Sequence, residues 1–198
     1  VKRGNIFFGA SAFNKDWFQP NDLCQTINGD IYFTDPDFKN KKGGSVYHLS
    51  PKGVSAVTNN LPVPNGIIAS NDGKKLYVSD SHLKEYWVYN IKKDGSLDQG
   101  KVFFKPTTIN QNAPDGMTID ERGNLYFTGF GGIWIVSKAG QAIGFIPIPE
   151  FCTNIAFGGD DYLDLFITCY KKVYRLGTKM KGFIPKEHRY EGENTFYK

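Results

Sequence analysis

Four residues stand in recurring surroundings that would let them do chemistry together. Asn21 lies in "PNDLCQTINGDIYFTD" (20–35), Asn65 in "PNGIIASNDGKKLYVSD" (64–80), Asp115 in "PDGMTIDERGNLYFTG" (114–129) and Asn154 in "NIAFGGDDYLDLFITC" (154–169). They are 44, 50 and 39 residues apart, and the first three each follow a proline. Asn21, Asn65 and Asp115 offer two amide oxygens and one carboxylate. That hard, oxygen-rich set suits Ca2+, with Mg2+ or Mn2+ as alternatives. One negative charge is thin for a divalent ion, so a further carboxylate is expected at such a site. Taken singly, Pro-Asn-Gly and Pro-Asp-Gly are ordinary β-turn sequences, because proline presets φ and glycine accepts the left-handed region. Repetition in register is what argues for a shared polar site.

Other chemistries find little support. His48, His82 and His188 are scattered, and no Gly-x-Ser-x-Gly elbow occurs. The glycines of "GFGGIW" follow a strand pattern but open no helix, as a dinucleotide fingerprint would. Asp80-Ser81-His82 has the letters of a triad, yet neighbours on a strand point to opposite faces. Asp35 and Asp80 close "FTD" and "VSD" and read as acceptors of backbone hydrogen bonds at strand ends. Cys24, Cys152 and Cys169 lie in apolar runs and read as buried thiols. The net charge of +4 is mild, and the densest basic spots, Lys39 to Lys42 and Lys171-Lys172, adjoin turn residues. Nucleic acid is therefore not an expected partner. No apolar run approaches the ~20 residues of a membrane span. A soluble, cytoplasmic protein is expected over a secreted or periplasmic one.

The elements that must position these residues form a four-strand module. A first strand carries the marker and "DLCQTI", "GIIAS", "GMTID" or "NIAFG"; the second is "IYFTD", "LYVSD", "LYFTG" or "LFITC". The third is "SVYHLS", "EYWVYNI", "GIWIVSK" or "KVYRL", and the fourth "VSAVTNNL", "GKVFF", "AIGFIPI" or "KGFIP". Many strands are apolar on both sides, which fits sheets packed between sheets. A four-stranded module at this period is the signature of propeller blades. The expectation is all-β: one propeller domain over 1–198, with blades at roughly 20–61, 64–104, 114–148 and 153–185 and a strand remnant in "VKRGNIFFGASAF". Pseudo-rotation would bring the four markers to one mouth of the central channel.

The same stretches, together with "GGIWIVSKAG", resemble the senescence marker protein/gluconolactonase/luciferin-regenerating enzyme family from about residue 14 to 176. The resemblance implies a six-bladed propeller holding one catalytic divalent ion, commonly Ca2+ and in some members Zn2+, Mg2+ or Mn2+. It implies hydrolysis of lactones and related esters. It carries the metal ligands onto Asn21, Asn65 and Asp115, and a general-base role onto Asp115. A glutamate ligand from the family's first blade has no counterpart, so further blades are expected from a preceding segment or another chain. Little activity is expected of this chain alone. Asn154 is expected to line the channel without binding metal, and Trp17 and Phe18 either wall its mouth or pack between blades. A small-molecule lactone or ester is the expected partner. Two rival readings stay open: a non-catalytic metal- or ligand-binding propeller, and a protein-interaction scaffold using the blade rims.

Overall fold

A computed structural model describes residues 17–50, 53–106, 113–129 and 131–184; the strand remnant expected before residue 14 lies outside them. Among the described residues there are fifteen strands and no helix. β1 (Leu23–Gln25), β2 (Ile31–Asp35), β3 (Ser45–Ser50) and β4 (Gly53–Thr58) form one antiparallel sheet in chain order. β5 (Pro64–Ala69), β6 (Lys75–Asp80), β7 (Glu85–Asn90) and β8 (Lys101–Phe104) form the second. β9 (Met117–Ile119), β10 (Leu125–Gly129), β11 (Gly132–Val136) and β12 (Ala142–Pro147) form the third. The fourth holds β13 (Cys152–Gly158), β14 (Asp164–Cys169) and β15 (Lys172–Gly177). The four sheets are blades of a β-propeller, and the first strands of successive blades are neighbours: β1 packs on β5, β5 on β9 and β9 on β13.

The double-sided apolar strands explain this stacking. Successive side chains of a strand point to opposite faces, so Val78 packs toward the first blade while Tyr77 packs toward the third. In β10, Phe127 faces the second blade and Tyr126 the fourth. Burying one such side chain contributes roughly 1.5–3 kcal/mol, and each seam holds at least eight buried apolar residues. Tyrosine hydroxyls tie the seams: Tyr32 donates to the Gly95 carbonyl and Tyr86 to that of Thr128, both at 2.8 Å.

Asn65 and Gly66 lie inside β5, at a register shift between Pro64 and Ile67, as the reading of a marker carried on a first strand has it. One feature differs from the sequence expectation. The stretch read as the fourth strand of the last blade does not add to β15. Thr178 turns back, its amide donating to Leu163 at 2.7 Å, and Gly182 bridges Asp120. Phe183 then packs into the apolar seam of the second and third blades, a drier seat than the exposed flank of β15.

Candidate active site

The markers enter the inner strands, where blades approach most closely. Gly66 and Gly116 are required there by space and not by φ, since neither lies in the left-handed region. A Cβ on Gly66 would sit 2.1 Å from the Asp115 carbonyl oxygen, and one on Gly116 would sit 2.0 Å from Asn154 Oδ1. Any side chain at either position would push neighbouring blades apart.

In the first two blades a hydroxyl near the end of the second strand pins the marker of the next blade. Thr34 Oγ1 accepts the Asp22 amide (3.1 Å) and donates to the Asn65 carbonyl (2.7 Å). Ser79 Oγ accepts the Gly66 amide (2.8 Å) and donates to the Asp115 carbonyl (2.9 Å). These two residues are readable in the sequence as the Thr and Ser of "FTD" and "VSD", yet they carry no chemistry by type and so attract no notice. The aspartates beside them behave as expected. Asp35 accepts the amides of Phe18 (3.1 Å) and Gln19 (2.7 Å). Asp80 accepts those of Val63 (2.8 Å), His82 (2.9 Å) and Leu83 (2.6 Å).

Asn65 and Asp115 come together. Asn65 is buried, and its Nδ2 donates to Ser81 Oγ (3.0 Å), which donates to the Pro114 carbonyl (2.6 Å). This chain fixes the amide orientation and leaves Asn65 Oδ1 buried without a partner. The Asn65 side chain lies near the Asp115 carboxyl and opposes the rise of its pKa. Ser81 is thus an orienting group drawn from the discarded Asp-Ser-His letters.

Asp22 is a site residue that the repeat does not single out. It occupies the place of Gly66 and Gly116, so an acid stands where the second and third copies have no side chain. Its carboxylate accepts the amides of Leu23 (2.9 Å) and Ile67 (3.3 Å). Burial raises its pKa above the usual carboxylate range. Burial, followed by the negative charge of Asp22, pushes Asp115 up to about 7; the Gly116 amide and Asn65 oppose the shift.

The other expected residues are placed as follows. Asn21 opens the first blade's inner strand with an exposed side chain, and its amide donates to Thr34 at 2.9 Å. Asn154 is exposed and its Oδ1 accepts the amide of Ile155 at 2.8 Å while lying against Gly116. Trp17 packs on Phe33 and Tyr47, at ring separations of 5.3 and 5.5 Å, on the flank of the first blade. Phe18 is half exposed beside Asp35.

The donor set fits a hard cation. Two partly buried carboxyl groups lie close enough for the charge of Asp22 to raise the pKa of Asp115, and an amide oxygen lacks a partner; a divalent ion would satisfy all three. Among the described residues no group of three or more His, Cys, Asp and Glu gathers at one point, so any such ion depends on the asparagine oxygens.

The fold is a propeller whose neighbouring inner strands bring Asn65 and Asp115 together. The chain belongs to the SMP-30/gluconolactonase/LRE-like family, whose model matches residues 5–171. A gluconolactonase from Zymomonas mobilis is 33% identical over 192 residues, covering 85% of this chain and 52% of that protein. The solved structure of a gluconolactonase from Xanthomonas campestris matches with a TM-score of 0.70 at 31% identity, over 80% of this chain and 56% of that one. A calcium-binding regucalcin from Agrobacterium tumefaciens gives a TM-score of 0.74 over 83% and 62% of the two chains. Its 23% identity makes that likeness one of fold alone. The chain spans about half the length of the Zymomonas relative. Among the described residues no helix is long and apolar enough to cross a membrane.

Proposed function

We propose that this protein hydrolyses lactones or related esters at the propeller axis with a divalent cation, Ca2+ first among those expected. Family membership and the gluconolactonase relatives support the substrate class. The observation that carries the reading is the meeting of Asp115, Asp22 and the unpartnered oxygen of Asn65. Asn65, Asp115 and Asn21 would hold the cation, which when bound polarises the ring carbonyl and stabilises the oxyanion that develops there. Asp115 takes the proton of the water that attacks the carbonyl carbon. Asp22 supplies the second negative charge and steadies the Ile67 amide. Ser81 and Ser79 keep Asn65 and Asp115 in place. The greater length of the relatives leaves room for further blades and for the glutamate ligand that the resemblance implies.

The test is turnover of γ- and δ-lactones, with and without a chelator, by the purified full-length protein that contains these residues. Hydrolysis that the chelator abolishes and Ca2+ restores is the expected result. Turnover indifferent to chelator, or intact in Asp115→Ala, would remove the proposal.

A further inference from the structure

Cys152 and Cys169 oppose one another directly in the ladder between β13 and β14. Their Sγ atoms are 2.9 Å apart, and both residues are buried in the seam with the third blade. Directly opposed residues of an antiparallel pair have Cα atoms about 4.5–5.5 Å apart. That lies inside the roughly 4.4–6.8 Å spanned by disulfide-bonded cysteines. Joining the two sulfurs therefore needs side-chain rotation and little movement of either strand. Cys24 belongs to a different apolar cluster, between the first and second blades, and serves as an internal control.

We propose that Cys152 and Cys169 form a reversible disulfide that locks β13 to β14 beside the candidate active site. The link to that site is the backbone. Thr153 follows Cys152, and its carbonyl accepts the amide of Gly116, the residue after Asp115, at 2.9 Å. The ladder is irregular at this point, between Cys152 and Asn154, so Thr153 lacks a regular opposite partner. A covalent bond next to the irregularity stiffens the strand that holds the third blade's marker. The pair also closes the end of its ladder, next to the exposed Tyr170, where local opening admits small oxidants. Burial, and then contact with Cys169, push the Cys152 thiol up to about 12, so the thiolate that attacks an oxidant forms only when the end of the ladder opens locally.

The oxidant is a hydroperoxide. Its O–O bond breaks as one thiol becomes a sulfenic acid and one water leaves. The second sulfur then attacks the first, the S–S bond forms, and the second thiol's proton leaves with the hydroxyl as another water. Two thiols and one hydrogen peroxide give one disulfide and two waters. The inference rests on geometry and stands apart from the lactonase reading.

The purified protein is treated with hydrogen peroxide, denatured in an alkylating agent and digested with trypsin. Both cysteines fall in the peptide 139–171, which has no internal Lys or Arg before its end. The expected product is that peptide about 2 Da lighter and unalkylated, restored by a reducing agent, with Cys24 alkylated throughout. Hydrogen exchange at the Gly116 amide should slow about 10-fold in the oxidised protein. Thiols still free after prolonged excess peroxide, sulfinic acids without the lighter peptide, or a bond to Cys24 would overturn the site. Unchanged exchange at Gly116 with the disulfide formed would overturn the lock. Cys169→Ser should lose both effects; slowed exchange in that variant would also count against the lock. The unmutated protein decides the matter even if the variant folds poorly.

Discussion

The second and fourth blades use nearly the same second strand, "LYVSD" and "LFITC", to different ends. In β6 every residue from Leu76 to Asp80 is buried. In β14 burial alternates: Leu165, Ile167 and Cys169 are covered, whereas Phe166 and Thr168 are exposed. The second blade has a described neighbour on each side, and the fourth has one. The markers follow suit. Asn65 is held from two sides, by Thr34 at its carbonyl and by Ser81 at its amide, and its oxygen is left aimed and unpartnered. Asn154 is exposed, and its oxygen turns back to its own strand. A polar residue at the axis becomes a site only where the flanking blades fix it.

The largest test of that contrast is in the packing. Phe127, fully buried between the second and third blades and stacked on Tyr86, should cost about 3–5 kcal/mol on change to Ala. Phe166→Ala, on the open flank of the fourth blade, should stay within about 1 kcal/mol. Urea titration of both variants measures the difference, and equal losses would break the comparison. Next is chemistry. Asp115→Asn should lower lactone turnover by about 100-fold or more, whereas Asn154→Ala should change it by no more than about 3-fold. A smaller effect is expected at the pinning hydroxyls. Ser79→Ala strands the Gly66 amide and should destabilise by about 1–3 kcal/mol. Thr168→Ala, in the exposed copy, should lie within about 0.5 kcal/mol.

The smallest effect is one of pH. Because folding raises the Asp115 pKa, its contribution is fully present below the ordinary aspartate value of 3.8 and is lost as pH rises through about 7. Asp37 and Asp94, held low by local hydrogen bonds, act in the opposite direction. Subtracting the Asp115→Asn curve from the wild-type curve therefore isolates this carboxyl. In cation-free buffer the difference should fall from about pH 4 to about pH 7. Added Ca2+ should stabilise the protein more at about pH 8 than at about pH 5, since the ion needs the ionised form. A flat difference would mean that neither partial burial nor the charge of Asp22 acts on Asp115.

Much of this architecture is legible in the sequence because propeller strands repeat their own punctuation. "IYFTD", "LYFTG" and "SVYHLS" coincide with β2, β10 and β3 to the residue. The role of Asp35 and Asp80 as acceptors of backbone amides also follows from position alone. "KGFIP" misleads because its apolar letters suit an outer strand equally well as a seam, and only the packing of Phe183 separates the two. Gly66 and Gly116 mislead in another way. Composition suggests backbone freedom, whereas the reason is the approach of a neighbouring blade. Asp22 stays hidden because nothing in one strand says which side chain the next strand will meet. Asn65 and Asp115 are legible as a pair through register, since rotation converts equal sequence position into proximity.

Crystals of the protein grown with Ca2+, with data collected at a wavelength where calcium scatters anomalously, test the central claim most directly. The account predicts a single peak within about 2.3–2.6 Å of Asn65 Oδ1 and of an Asp115 carboxylate oxygen. A peak elsewhere, or none with Asn65 Oδ1 hydrogen-bonded to protein, would contradict it.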